Sequence, residues 1–200
     1  IPGRAPKILL DSGAMADCQP EWLHQFARMG STFAQVRYEV TDPRVGLVSI
    51  GEEPEKGNQL VKAAHQLLAD DSSLNFIGNV EGNDVLSGDV DVLVADGFTG
   101  NVILKTLEGT VKFLVDQIIT ALTTEGAAEV GAQALSHLAP VAAELNPDAV
   151  GGAMLLGVNG VAIISHGSAG PLAITNACKV ARDMVERDLV GELSSAVITH

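Results

Sequence analysis

The sequence predicts an α/β domain: a mostly parallel open sheet with helices on both faces, and a protruding helical hairpin. Three observations point there. Short apolar, β-prone runs alternate with helical patterns. The runs are apolar nearly throughout, as strands buried on both faces of a parallel sheet must be. Each run also stops at a cluster of glycine and small polar residues, and the carboxyl ends of such strands are where open α/β sheets bind ligands.

The strands are expected at residues 8–10, 45–50, 74–77, 90–95 and 161–164. Between the first two, a helix starts at Pro20, where a missing N–H costs nothing, and carries Trp22, Leu23, Phe26 and Ala27, with Gly30 as a candidate break. The second helix shows the stripe Leu60, Val61, Ala64, Leu67, Leu68. After Asn101 a longer helix runs through Leu104, Leu107, Val111, Leu114, Val115 and Ile118, and beyond Gly126 an Ala-rich segment reaches about residue 145. Residues 99–146 thus form a hairpin, far longer than a crossover of roughly a dozen residues needs. Its apolar stripe is expected to meet a second copy of the chain. Its bend, with Val130 and Leu135, is apolar enough to touch a membrane surface, although ordinary core packing gives the same periodicity. A last helix spans about 171–190, with Ala177, Val180, Ala181, Met184 and Val185 as its buried stripe.

Composition sets outer bounds. The 200 residues suit one α/β domain, and 46% hydrophobic with 18% charged residues describes a folded, soluble chain. A net charge of -13 disfavours a nucleic-acid partner, and one Trp, one Tyr and five Phe are too few for base-stacking platforms. Cys18 and Cys178 cannot build a disulfide framework or a four-ligand zinc site, so a reducing compartment is expected. The opening Ile1-Pro2-Gly3-Arg4 carries neither an initiator Met nor a secretory leader, so the chain is expected to begin partway through a longer protein.

The strand ends are Asp11-Ser12-Gly13, Gly51-Glu52-Glu53, Gly78-Asn79-Val80-Glu81-Gly82, Asp96-Gly97-Phe98-Thr99-Gly100-Asn101 and Ser165-His166-Gly167-Ser168. In a parallel sheet they converge on one edge. Glycine there lets backbone N–H groups approach an anion at a helix N-terminus, though it is also the usual way to end a strand tightly. No Walker loop, dinucleotide fingerprint, nucleophile elbow or zinc-protease motif is present, and the five histidines are too dispersed to hold a metal from one helical face. No metal or cofactor is expected.

Individual residues keep two readings each. Lys56, before Gly57 and Asn58, could hold an anion at the second helix or pair with the adjacent glutamates. His166 could donate to a substrate or be a structural histidine. Asn101 could bind substrate or cap the long helix, and Cys18 could be an activated thiolate or an inert thiol.

Taken together, Leu9-Leu10-Asp11-Ser12-Gly13-Ala14, Gly51-Glu52-Glu53, Lys56-Gly57-Asn58, Phe76-Ile77-Gly78-Asn79-Val80-Glu81-Gly82 and Asp96-Gly97-Phe98-Thr99-Gly100-Asn101-Val102 resemble the bacterial phosphate acyltransferase family PlsX. The resemblance continues in order through Leu104-Lys105-Thr106-Leu107-Glu108-Gly109, Gly151-Gly152-Ala153 and Ser165-His166-Gly167-Ser168. It departs at Met15 and Asn83, where the family commonly has Asn and Arg.

This resemblance implies an isocitrate-dehydrogenase-like or phosphotransacetylase-like fold, with the chain as the carboxyl-terminal part of a longer enzyme. It implies transfer of a long-chain acyl group from acyl-carrier protein to inorganic phosphate, giving acyl phosphate for phospholipid synthesis. It further implies a cytoplasmic homodimer, peripherally associated with the inner face of the cell membrane. The family's catalytic lysine and asparagine match Lys56 and Asn101. Asp11, Gly13, Gly57, Asn58, Asn79, Asp96, Gly97, Gly100, His166 and Gly167 are expected to bind substrate or phosphate. Lys105 and Lys112 could dock the acidic carrier protein. The alternatives are a phosphate acetyltransferase acting on coenzyme A thioesters, a dehydrogenase of the isocitrate type, and a non-catalytic binding module.

Overall fold

The computed structural model describes residues 6–124, 128–145, 151–165, 167 and 169–198. Four strands form a parallel sheet: β1 (Ile8–Leu10), β2 (Arg44–Val48), β3 (Asn75–Val80) and β4 (Val92–Val94). Their spatial order is β1-β4-β2-β3. The two central strands are apolar and almost wholly buried because each is covered on both faces.

Alternation along each strand divides the core in two. Ile8, Val45, Leu47, Val92 and Val94 face α1 (Pro20–Tyr38) and α2 (Gln59–Ala69), which contribute Leu23, Ala27, Ala34, Val61, Ala64 and Leu68. Val48, Val80 and Leu93 lie in a second cluster with Val85 and Val90, and there Ile103 and Leu107 of α3 (Gly97–Leu122) pack from above. Helices therefore cover both faces.

α1 runs unbroken through Gly30. A Cβ at Gly30 would lie 2.5 Å from Val92 Cγ1, so this glycine is a close contact between helix and sheet rather than a break. α1 stops at Glu39, in the left-handed conformation, whose N–H bonds Gln35. The lower end of the same layer is tied by Asp71, which accepts from His24 Nε2 and Arg28 Nε at 2.7 Å each and from Ser73 Oγ at 2.6 Å. Burial pushes the Asp71 carboxyl up, but the bonds from Arg28, Ser73 and His24 outweigh it and hold the group well below the usual carboxylate range.

Two further expectations are corrected. The run at 161–164 was expected to add a fifth parallel strand. It is instead β6 (Ala162–Ile164), paired antiparallel with β5 (Ala153–Leu155) in a separate two-stranded sheet. Gly151 and Gly152, both at positive φ, precede β5 and let the chain approach Asn176 and Ile164 closely. The last helix also ends early: α5 (Pro171–Glu186) gives way at Asp188, φ 51, to α6 (Leu189–Ile198). Leu189 and Leu193 of α6 join Met184 and Met29 in a third cluster that seats the helix on α1.

α4 (Ala128–Glu144) packs on α3 and approaches it closely at Gly131, where a Cβ would run into the Leu122 carbonyl. Beyond its first turns α3 exposes Phe113, Leu114, Ile118 and Ile119, and α4 exposes Val130, Leu138 and Val141. No described helix is long and apolar enough to cross a membrane.

Candidate active site

Parallel pairing brings the carboxyl ends of all four long-range strands to one edge. β1 and β2 flank β4, with Leu10 and Leu47 both opposite Val94, so the segments after these three strands emerge side by side. Asn101 follows β4 and Lys56 follows β2.

The loop after β1 is built around Asp11. This buried carboxylate accepts the backbone N–H groups of Gly13 at 3.1 Å, Ala14 at 3.0 Å and Met15 at 2.6 Å, folding the chain tightly around itself. The start of α3 rests directly on that loop. The Gly97 N–H donates to the Met15 carbonyl at 2.8 Å, and a Cβ at Gly97 would lie 2.7 Å from Asp11 Oδ2. A Cβ at Gly100 would run into the Asp11 carbonyl oxygen. Only hydrogen fits at either position.

Asn101 is the next residue, exposed on the first turns of α3. It does not cap the helix. Asp96 does, accepting Thr99 N–H and Thr99 Oγ1–H at 2.8 Å each. The Asn101 side chain lies instead against Gly13, whose φ of 136 suits glycine. Cys18 Sγ points its hydrogen at the Met15 carbonyl, 3.3 Å away, and burial pushes its thiol up, which disfavours an activated thiolate.

The segment after β2 forms a second unit. Glu53-Pro54-Glu55-Lys56 is a β-turn closed by the Lys56 N–H donating to the Glu53 carbonyl at 3.0 Å, with Pro54 setting φ at its second position. Gly57, φ 96, then redirects the chain into α2, which Asn58 caps by accepting the Val61 N–H at 2.9 Å. The Lys56 stem lies over Gly51, where a Cβ would come 2.9 Å from Lys56 Cγ. Among the described residues Lys56 makes no ion pair. It is the only cation lining an open depression of about 450 Å³ shared with Ile50, Gly51, Glu52, Glu53 and Glu81; Asn101 is not part of that lining. Nearby, Ser49 Oγ is enclosed and lacks a hydrogen-bond partner among the described groups.

Asn79, at the end of β3, is 5% exposed. Its Nδ2 donates to the Glu53 carbonyl at 2.8 Å, and its Oδ1 lies 3.0 Å from His65 Nδ1. Glu53 stands in a strand-end motif but His65 in none, and their link through Asn79 has no sequence signal because residues 53, 65 and 79 meet only once β2, α2 and β3 are folded together.

Of the remaining expected residues, Gly167 sits in an exposed turn after β6, and His166 lies outside the described residues. Lys105 donates to Glu108 at 2.7 Å, while Lys112 is exposed on α3. No group of three or more His, Cys, Asp or Glu residues able to hold a metal occurs among the described residues.

The fold and this edge define an open parallel α/β protein with a polar, glycine-lined carboxyl rim. Residues 1–191 match the family described as fatty acid synthesis protein, and the chain belongs to that family, the PlsX family of the sequence resemblance. It is 46% identical over 187 residues to the phosphate acyltransferase of Thermobifida fusca (strain YX), covering 90% of this chain and 51% of the relative. It is 42% identical over 199 residues to that of Clostridium perfringens (strain SM101 / Type A), covering 98% and 59%. With the Halothermothrix orenii (strain H 168 / OCM 544 / DSM 9562) phosphate acyltransferase the figures are 45% over 192 residues, 95% and 58%. The chain thus spans between half and three-fifths of the length of these relatives.

Proposed function

We propose that this chain carries the reacting edge of an acyltransferase that moves a long-chain acyl group from acyl-carrier protein to inorganic phosphate, forming acyl phosphate for phospholipid synthesis. The observation that carries the reading is the juxtaposition of two segments leaving adjacent parallel strands. One presents Lys56, a lysine without an ion pair among the described groups, and the other an asparagine on a glycine-seated helix start. Membership of a family whose relatives are named phosphate acyltransferase supports it.

In this reading Lys56 holds phosphate and offsets charge among Glu52, Glu53 and Glu81. A phosphate oxygen attacks the thioester carbonyl carbon, and the Asn101 amide donates to the oxyanion as the tetrahedral intermediate forms. The carbonyl re-forms, the carbon–sulfur bond breaks, and the carrier leaves as thiolate, to be protonated by solvent. No enzyme nucleophile is required. Asp11, Asp96 and the glycines at 13, 97 and 100 shape the rim that receives the thioester, while Gly57 and Asn58 place the α2 N-terminus beside the phosphate.

The exposed apolar side chains of α3 and α4 support two further roles for the hairpin: pairing with a second copy of the chain and peripheral contact with the inner face of the cell membrane from the cytoplasm. Lys112, exposed on α3, is the candidate contact for the acidic carrier protein, with Lys105 beside Glu108 a weaker one.

The test is an assay of the natural full-length protein with long-chain acyl-acyl-carrier protein and phosphate, trapping acyl phosphate with hydroxylamine. Lys56→Ala and Asn101→Ala should each lower the rate at least about tenfold, equivalent to about 1.4 kcal/mol. A folded variant with the wild-type rate removes that residue from the mechanism.

A further inference from the structure

The turn that carries Lys56 is poorly supported by packing. Residues 52–56 are all exposed, and open depressions flank them: one contains Lys56, and the other, of about 500 Å³, reaches Glu52 and Pro54 from the side of His65 and Phe76. A turn closed only on itself could swing as a unit about its ends. Among the described hydrogen bonds, one side chain reaches it from outside: Asn79 Nδ2, donating to the Glu53 carbonyl at 2.8 Å. That carbonyl already accepts the Lys56 N–H, so its two lone pairs join the turn's closing bond to an anchor on β3.

The anchor is itself held. Because Asn79 Nδ2 must face a carbonyl, its Oδ1 faces His65, and His65 Nδ1 is the donor of that bond, in either the Nδ1–H tautomer or the imidazolium. The ring is fixed edge-on against Phe76, with centroids 5.1 Å apart. A chain of donors therefore runs from α2 through the end of β3 to the turn. Asn79 is too enclosed, and its amide too committed, to serve as a ligand itself.

We propose that Asn79 and His65 are positioning residues that hold the Glu53–Lys56 turn so that the Lys56 ammonium meets phosphate. This inference rests on the reading of Lys56 given above. Removing the anchor should weaken phosphate capture more than it slows the acyl step.

The experiment measures kcat and the KM for inorganic phosphate in the full-length protein, with thermal unfolding of every variant. Asn79→Ala should lower kcat/KM for phosphate about tenfold, as expected when a buried hydrogen-bonded group is lost, chiefly through KM. Asn79→Asp should fare no better, since it turns an acceptor toward the Glu53 carbonyl. His65→Gln keeps a donor for Asn79 and should stay within about twofold of wild type, whereas His65→Leu should lose about fivefold. In a Lys56→Ala background the Asn79→Ala penalty should nearly vanish, because both act through one group. An undiminished penalty there overturns the proposal while leaving Lys56 in its role. If Asn79→Ala does not fold, the His65 pair decides: equal phosphate KM values in the Gln and Leu variants overturn it. Wild-type turnover in Lys56→Ala would mean that the reading of Lys56 itself has failed.

Discussion

The Asn101 side chain lies directly over the α-carbon of Gly13: a Cβ built on Gly13 would sit 3.7 Å from Asn101 Oδ1. The space would admit a methyl group, but the backbone would not, since Gly13 adopts φ 136. Gly13→Ala must therefore strain or refold the Asp11 loop, at a cost on the order of 1–3 kcal/mol. The expected outcome is a lower melting temperature and turnover reduced at least about tenfold, measured by hydroxylamine trapping. A variant as active as wild type would show that the loop's shape does not matter to Asn101.

Two glycines of α3 should respond in opposite directions to the same substitution. Gly109 has open space around it, so Gly109→Ala should stabilise the helix by about 0.5–1 kcal/mol. At Gly100 the added carbon meets the Asp11 carbonyl, and Gly100→Ala should destabilise by about 1–3 kcal/mol and lower activity as Asn101 is pushed off the loop. Denaturant midpoints of the pair check both signs. Equal midpoints would contradict the close seating of α3.

Asp71 should make stability depend on acid. Its carboxyl is held below the ordinary range in the folded chain, so the stabilisation it provides is complete above the unfolded value of about 3.9 and is lost as pH falls through the folded one. Asp71→Asn should cost about 2 kcal/mol at pH 7, and the gap from wild type should narrow progressively below about pH 4. Urea unfolding from pH 7 to pH 2 measures it. A gap independent of pH would mean that the charge plays no part.

The two roles given to the hairpin are separable. Phe113, 61% exposed on α3, and Val130, 73% exposed on α4, sit at different heights along it. Phe113→Glu should shift sedimentation from dimer to monomer. Val130→Glu should reduce co-sedimentation with anionic vesicles while turnover on soluble acyl-carrier substrate is unchanged. Leu135 is a weaker probe because its side chain is half-buried. Unaltered vesicle binding by the Val130 variant would refute membrane contact through this end of the hairpin.

The parallel sheet was legible because its strands are apolar on both faces, and α2 because its stripe matches one buried side. Gly30 misled as a helix break: sequence carries its high cost within a helix but not the contact with Val92 that requires it. β5 is three residues long, Ala153–Leu155, too short for any period to show, and without it β6 looked like a fifth parallel strand. The break between α5 and α6 is made at Asp188, at positive φ, without the glycine or proline that usually marks such a break. The rim could be read from where strands stop, whereas the bonds joining Glu53, Asn79 and His65 depend on three elements meeting and leave no local pattern.

α3 is one uninterrupted helix of 26 residues, about 39 Å from end to end at the usual rise, with no proline inside it. Asn101 rides near its root, wedged by glycine against the β1 loop, while the greasy side chains crowd its outer half. The helix is thus a strut with the amide at one end and an exposed apolar surface toward the other. A single piece of backbone therefore spans from the amide at the sheet's rim to the solvent-facing apolar side chains of the hairpin.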